Sequence, residues 1–122
     1  MERHLNLPHE HHGADTQNRI MEAIPSEERT RIVADALAQL GDPSRLRIFW
    51  LLCHTEECVT DIAAYVHMTS PAVSHHLRLL KAAGLVASRR DGKEMLYKAS
   101  DSVLVQELHR VIERIAEISC PA

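Results

Sequence analysis

Apolar residues recur along this chain at two spacings, and the switch between them separates helices from a hairpin. Ile32, Ala36, Leu37 and Leu40 repeat at helical spacing behind Pro25-Ser26-Glu27-Glu28, where Ser26 can cap and two acids favour a first turn. Gly41 ends that helix, and Asp42-Pro43 starts a second through Leu46, Ile48, Phe49, Leu51 and Leu52 to about Cys53. The polar loop His54-Thr55-Glu56-Glu57 follows. Thr60 is placed to cap a short third helix through Ile62, Ala63 and Val66, ending near His67. Ser70-Pro71 repeats the cap-plus-proline start for a fourth helix carrying Val73, Leu77, Leu79 and Leu80 to Gly84.

After Gly84 the period falls to two, over Leu85 to Arg90. Asp91-Gly92 is a two-residue hairpin signal, and Met95, Leu96 and Tyr97 form the returning strand. Ser100 or Asp101 caps a final helix in which Leu104, Leu108, Val111, Ile115 and Ile118 alternate spacings of four and three. That seam is too apolar for a lone surface helix and predicts helix-to-helix pairing. Residues 1–24 lack a sustained apolar period and read as a flexible arm rich in histidine (His4, His9, His11, His12). The domain is expected over residues 25–122.

The predicted order is helix–helix–helix–helix–strand–strand–helix, mainly α with a small β-hairpin. The third and fourth helices, joined tightly by His67-Met68-Thr69, form a helix-turn-helix with the hairpin as a wing. The fourth helix would enter a major groove and present Thr69, Ser70, Ala72, Ser74, His75 and Arg78, while Val73, Leu77 and Leu80 face inward. Arg89, Arg90 and Lys93 on the hairpin would lie beside phosphates or the minor groove. Periodicity alone equally allows a helical domain with a solvated basic hairpin.

Composition changes this picture in a few places. Aromatics make up only 3% of the 122 residues, so the core must be aliphatic. A net charge of −3 argues against nucleic acid, but between Ser70 and Lys98 six basic residues stand against two acidic ones. A local basic surface matters more to DNA than the global sum. No apolar run approaches the ~20 residues of a membrane span, and the N-terminal residues lack the apolar stretch of a secretory signal. No membrane association and a cytoplasmic location are therefore expected. Cys53, Cys58 and Cys120 form no CxxC pair, which argues against a disulfide scaffold. No Gly-rich phosphate loop, nucleophile elbow or HExxH occurs, so an enzyme is not expected.

Leu40-Gly41-Asp42-Pro43-Ser44-Arg45-Leu46-Arg47-Ile48, then Cys58-Val59-Thr60-Asp61-Ile62-Ala63, then Ser74-His75-His76-Leu77-Arg78-Leu79-Leu80 resemble the ArsR/SmtB family of bacterial metal-sensing repressors, and Ser88 to Tyr97 looks like its wing. The match spans about residues 30–119. It implies a homodimer formed by the first and last helices, bound to double-stranded operator DNA at an inverted repeat and released by inducer, with Ser74, His75, Arg78 and the wing basics on DNA.

The resemblance also implies one metal site at the start of the third helix, built around a Cys and an Asp three residues on, here Cys58 and Asp61, and completed by the partner's arm. His9, His11 and His12 would then join them. One sulfur, one carboxylate and two imidazoles suit tetrahedral Zn(II), whereas Cd(II), the other candidate, usually takes more thiolate. Thiolate-rich relatives carry a second Cys where Thr60 stands here, and an arm Cys where this chain has only His. The alternative is a buried free thiol and a solvated arm. The family's other site, on the last helix, matches at Asp101 but meets Val103 and Arg114, which are no ligands, beside Glu117. His109 and Glu113 read as a solvated pair, His54 and His67 as surface residues, Cys53 as core and Cys120 as a thiol at a frayed end. His75 and His76 read as DNA-facing or packing groups. A second sensing chemistry, oxidation, persulfidation or As(III) capture at Cys53, Cys58 and Cys120, stays open.

Overall fold

The computed structural model of the protein describes residues 6–121; His4 of the arm lies outside them. Two compact units divide the chain, one up to Ile32 and one from Val33. The first contains helix α1 (Ala14–Ala23) and the start of α2 (Glu27–Leu40). Helix α1 begins after Gly13, has Asp15 in its first turn and buries no residue. The reading of residues 1–24 as a flexible arm placed no helix there, because this segment carries no apolar stripe for periodicity to detect. Ser26 caps α2 as expected, its Oγ accepting from the Arg29 amide at 3.2 Å.

The second unit continues α2 through α3 (Pro43–Leu52), β1 (Glu57–Cys58), α4 (Val59–Val66), α5 (Ser70–Ala82), β2 (Val86–Asp91), β3 (Glu94–Ala99) and α6 (Val103–Ala116). The expected winged helix-turn-helix is present. Its core is aliphatic except for Phe49, with Ile48, Ile62, Val73, Leu77, Leu80 and Leu85 fully enclosed. Each turn of the three central helices contributes to this cluster, so α5 is held from behind by α3 and α4. The Asp42 side chain accepts from the Arg45 amide at 2.9 Å, with Pro43 opening α3 as the sequence predicts.

Four local expectations are corrected. Cys58, not Thr60, occupies the N-cap of α4, and no side-chain cap bond forms there. Thr69, not Ser70, caps α5; its hydroxyl accepts from the Ala72 amide at 3.3 Å, which puts Pro71 at the second helical position. Ser102, rather than Ser100 or Asp101, caps α6 by accepting from Val105 at 3.2 Å. The hairpin loop is Gly92-Lys93, because Asp91 pairs with Glu94. Gly92 takes φ +63°, the positive angle a two-residue turn needs at its first position to match strand twist. In each case the competing donor or acceptor sits one or two residues away, within the uncertainty of any end assignment.

Strand β1 is the unforeseen element in this unit. Glu57 and Cys58 pair with Tyr97 and Leu96, making a three-stranded antiparallel sheet of order β1-β3-β2. The loop read as polar therefore ends in a strand that ties the start of α4 to the wing. Among the described residues, no helix is long and apolar enough to cross a membrane.

Candidate functional site

The helix-turn-helix is built by a left-handed residue. His67 caps α4 at φ +56° and ψ +48°, and the Met68 amide returns to the Ala63 carbonyl at 3.1 Å. The chain then turns through Met68 and Thr69 into α5. Val73, Leu77 and Leu80 are buried along one side of α5, while Thr69, Ser70, His75 and Arg78 are exposed and Ala72 and Ser74 half-exposed. The helix thus presents short side chains and one guanidinium outward, a surface that can approach base edges and phosphates closely. His76 differs from its neighbour. It is half-buried, its Nδ1 lies 3.3 Å from Arg45 Nη1, and burial is the main cause holding its pKa below the ordinary value. His76 therefore packs, whereas His75 faces outward.

The wing basics are not equivalent. Arg89 and Arg90 are neighbours on β2 and point to opposite sheet faces. Arg89 forks onto Glu56, with Nε donating at 3.0 Å and Nη2 at 2.6 Å to the two carboxylate oxygens. That bond is the largest cause holding the Glu56 carboxyl below the usual range. Among the described residues, Arg90 and Lys93 make no ion pair and are exposed. Lys81, at the end of α5, donates to Ser88 Oγ at 2.7 Å and braces helix against wing.

Cys58 is half-buried at the start of α4, and Asp61 is exposed in its first turn. Pairing of Cys58 with Leu96 fixes its backbone. In the other unit His9, His11 and His12 are all exposed, and the rings of His9 and His11 lie 6.3 Å apart. Asp101, just before the cap of the last helix, and Val103, its first residue, are exposed, and Glu117 is a left-handed cap at φ +55°. The side chains of Val103 and Arg114 offer no cation a ligand atom.

A different group of ligating side chains is brought together by the fold. His54, His109, Glu113 and Cys120 each contribute one donor atom, all lying within 4.8 Å of one another. His54 Nε2 is 2.9 Å from His109 Nε2, and both face Glu113 Oε2, at 3.4 and 3.2 Å. Cys120 Sγ donates to Glu113 Oε1 at 2.9 Å and lies 3.9 Å from His109 Nε2. Trp50 Nε1 donates to Glu113 Oε2 at 3.1 Å. These bonds, that from Cys120 first, hold the Glu113 carboxyl below its usual range.

Three sequence expectations are corrected here. His109 and Glu113 are not a solvated pair, their side chains being 23% and 14% exposed. His54 is not a plain surface residue, at 16%. Cys120 is not at a loose end: the left-handed turn at Glu117, with the Ile118 amide on the Glu113 carbonyl at 3.0 Å, folds the chain back so that its thiol meets Glu113. The i, i+4 spacing of His109 and Glu113 was a visible signal. Their meeting with His54, 55 residues earlier, was not. Cys53 packs against the core, and burial, with Glu113 and Cys120 nearby, pushes its thiol up to about 12. A thiol so protonated at neutral pH is a poor nucleophile.

Comparison with known proteins agrees with this architecture. The family described as bacterial regulatory protein, arsR family, matches residues 42–88. Over 94 residues the chain is 34% identical to the transcriptional repressor SmtB homolog of Synechocystis, covering 77% of this chain and 71% of that one. It is 32% identical to a cadmium resistance transcriptional regulatory protein CadC homolog of Staphylococcus aureus, covering 71% and 73%. The solution structure of a homodimeric winged helix-turn-helix DNA-binding domain from Mycobacterium bovis, a possible ArsR-family regulator, superimposes with a TM-score of 0.67 at 30% identity, covering 78% of this chain and 90% of that domain. With the helix-turn-helix, the basic wing and these likenesses together, the chain belongs to the ArsR/SmtB family of winged-helix DNA-binding transcriptional regulators, which are not enzymes.

Proposed function

We propose that the protein is a metal-responsive transcriptional repressor that holds an inverted-repeat operator as a homodimer and releases it on binding a divalent cation, Zn(II) foremost and Cd(II) as the softer alternative. The observation that carries the DNA half is the division of α5, whose inner side is buried while Ser70, His75 and Arg78 stand outward, as do the exposed wing residues Arg90 and Lys93. Thr69, Ser70, Ala72, Ser74, His75 and Arg78 are assigned to the major groove, and Arg90 and Lys93, with Arg89 once freed from Glu56, to the backbone.

Dimerisation is supported by apolar surface that one copy leaves uncovered. Val33 and Leu37 on α2 are 49% and 54% exposed, and Val111 and Ile115 on α6 are 48% and 79% exposed. Leu104 and Leu108 of the seam pack on the core, but Val111 and Ile115 lack a cover within the second unit, and the Mycobacterium bovis relative is a homodimer.

The metal half draws on the relatives, one of which is named for cadmium resistance. Cys58 occupies the N-cap of α4 and Asp61 lies in its first turn, so thiolate and carboxylate belong to the same helix end. His9, His11 and His12 of the partner's arm are assigned to complete a tetrahedral set. A cation there would bias α4 and the turn into α5. A coupling of ~1–3 kcal/mol, usual for allostery, would weaken operator binding about 5–150-fold.

Operator affinity by fluorescence anisotropy, with and without Zn(II), tests this in wild type, Cys58→Ser and a chain shortened to begin at Ala14. Release of wild type but of neither variant supports the assignment. Equal responses in all three would remove Cys58 and the arm from the sensing site.

A further inference from the structure

The cluster of His54, His109, Glu113 and Cys120 has no part in the metal assignment above, and its donor atoms lie close enough together to share one cation. Two imidazole nitrogens, a carboxylate and a thiol converge from three chain segments: the end of α3, one side of α6, and the tail folded back by Glu117. With Zn–N near 2.0–2.1 Å and Zn–S near 2.3 Å, a tetrahedral ion separates its donor atoms by about 3.3–3.6 Å. The observed separations, 2.9 Å between the two Nε2 atoms, 3.2 and 3.4 Å to Glu113 and 3.9 Å from His109 to Cys120, bracket that range.

The surroundings fit as well. Trp50 Nε1 orients the Glu113 carboxylate from outside the cluster, the kind of support that ligating carboxylates receive. Trp50 and His109 also flank the His54 ring, at 4.5 and 4.7 Å between centroids, which restricts its rotation. The histidine and glutamate side chains are mostly covered, whereas Cys120 is exposed, so an ion would be shielded yet has a way in.

We propose that these four residues bind one divalent cation of the Zn(II) class within a single protomer, stapling the tail and α6 to the end of α3. The donor set selects the ion: oxygen-seeking Mg(II) and Ca(II) would find one carboxylate, and ions that need several thiolates would find one. On binding, the Cys120 proton now shared with Glu113 and any proton between the two imidazoles leave to solvent, and the cation takes their place. The site does not depend on the repressor reading, and it differs from the Cys58 assignment in residues and in needing no partner arm.

Trp50, the sole tryptophan, reports on the site directly. The test is titration of the reduced full-length protein with Co(II), then displacement by Zn(II), following the visible bands of tetrahedral Co(II), the thiolate-to-metal charge-transfer band and Trp50 fluorescence. Wild type should show all three. In a Cys58→Ser background, which removes the other assigned thiolate, Cys120→Ser should lose the charge-transfer band and bind more weakly by more than the 10–100-fold that loss of an outer hydrogen-bond partner costs. His109→Ala should lose the Trp50 response, and Cys58→Ser should keep it. Circular dichroism checks folding, and Cys120 lies beyond the helices, so its replacement leaves the core intact. Metal binding by Cys120→Ser and His109→Ala equal to wild type, or a Trp50 response abolished by Cys58→Ser, would overturn the site. Because operator release is not the readout, that failure would leave the repressor reading standing.

Discussion

Arg89 of the wing is held by Glu56, in the loop before β1, through two parallel N–H···O bonds of 3.0 and 2.6 Å. A guanidinium engaged this way cannot bind a phosphate without giving up a bidentate partner. Glu56→Gln should therefore free Arg89, tighten binding to nonspecific duplex and steepen its salt dependence by about one phosphate contact. Arg90→Ala should flatten that dependence by about one contact, while Arg89→Ala in the wild-type background should change it little. Anisotropy titrations across a salt series check this, and an unchanged slope in Glu56→Gln would show that Arg89 does not reach DNA.

The two sides of α5 should separate affinity from stability. Arg78 is exposed and Leu77 is 1% exposed. Arg78→Ala should leave the urea midpoint in place and weaken operator binding by about 1–3 kcal/mol. Leu77→Ala should destabilise the fold by about 2–5 kcal/mol, through lost burial and the cavity left behind. Loss of stability in Arg78→Ala would mean that its stem packs on the domain.

The cap of α6 is a sharp local test. Ser102→Ala removes the acceptor for the Val105 amide and should cost about 1 kcal/mol in urea unfolding. Asp101→Ala, one residue earlier, should be near neutral. The reverse order would return the cap to Asp101.

His76 predicts how stability depends on pH. Burial lowers its folded pKa, partly offset by Asp42 and reinforced by Arg45 and His75. In the unfolded chain the ring titrates near 6.5, so there the unfolded state takes up the proton first. The contribution is therefore complete above about pH 6.5 and declines as pH falls below it. Urea midpoints between pH 7.5 and 5.5 should fall less in His76→Gln than in wild type. Equal declines would assign the acid sensitivity to other groups.

Much of this molecule was readable one segment at a time. Helices α2 to α6, the turn at His67 to Thr69 and the hairpin follow from apolar period and punctuation, because each is decided by residues within a few positions of one another. Errors were local too: the caps at Cys58, Thr69 and Ser102 and the loop at Gly92-Lys93 each displaced the expected residue by one or two. Helix α1 escaped notice because it has no buried stripe, and β1 because two residues carry no period.

Sequence alone thus determined α2 to α6 and the hairpin, the outward residues of α5 and the family to which the chain belongs. Tertiary structure decided which side chains of different elements meet. Nothing in the order of residues pairs Glu56 with Arg89, 33 positions on, or sets His54 against His109, 55 positions on. Those meetings depend on the packing of α6 on the core, the chain reversal at Glu117 and the three-stranded sheet. Long-range contacts arise from shared burial, which fixes elements in space without marking which of their polar residues will face each other.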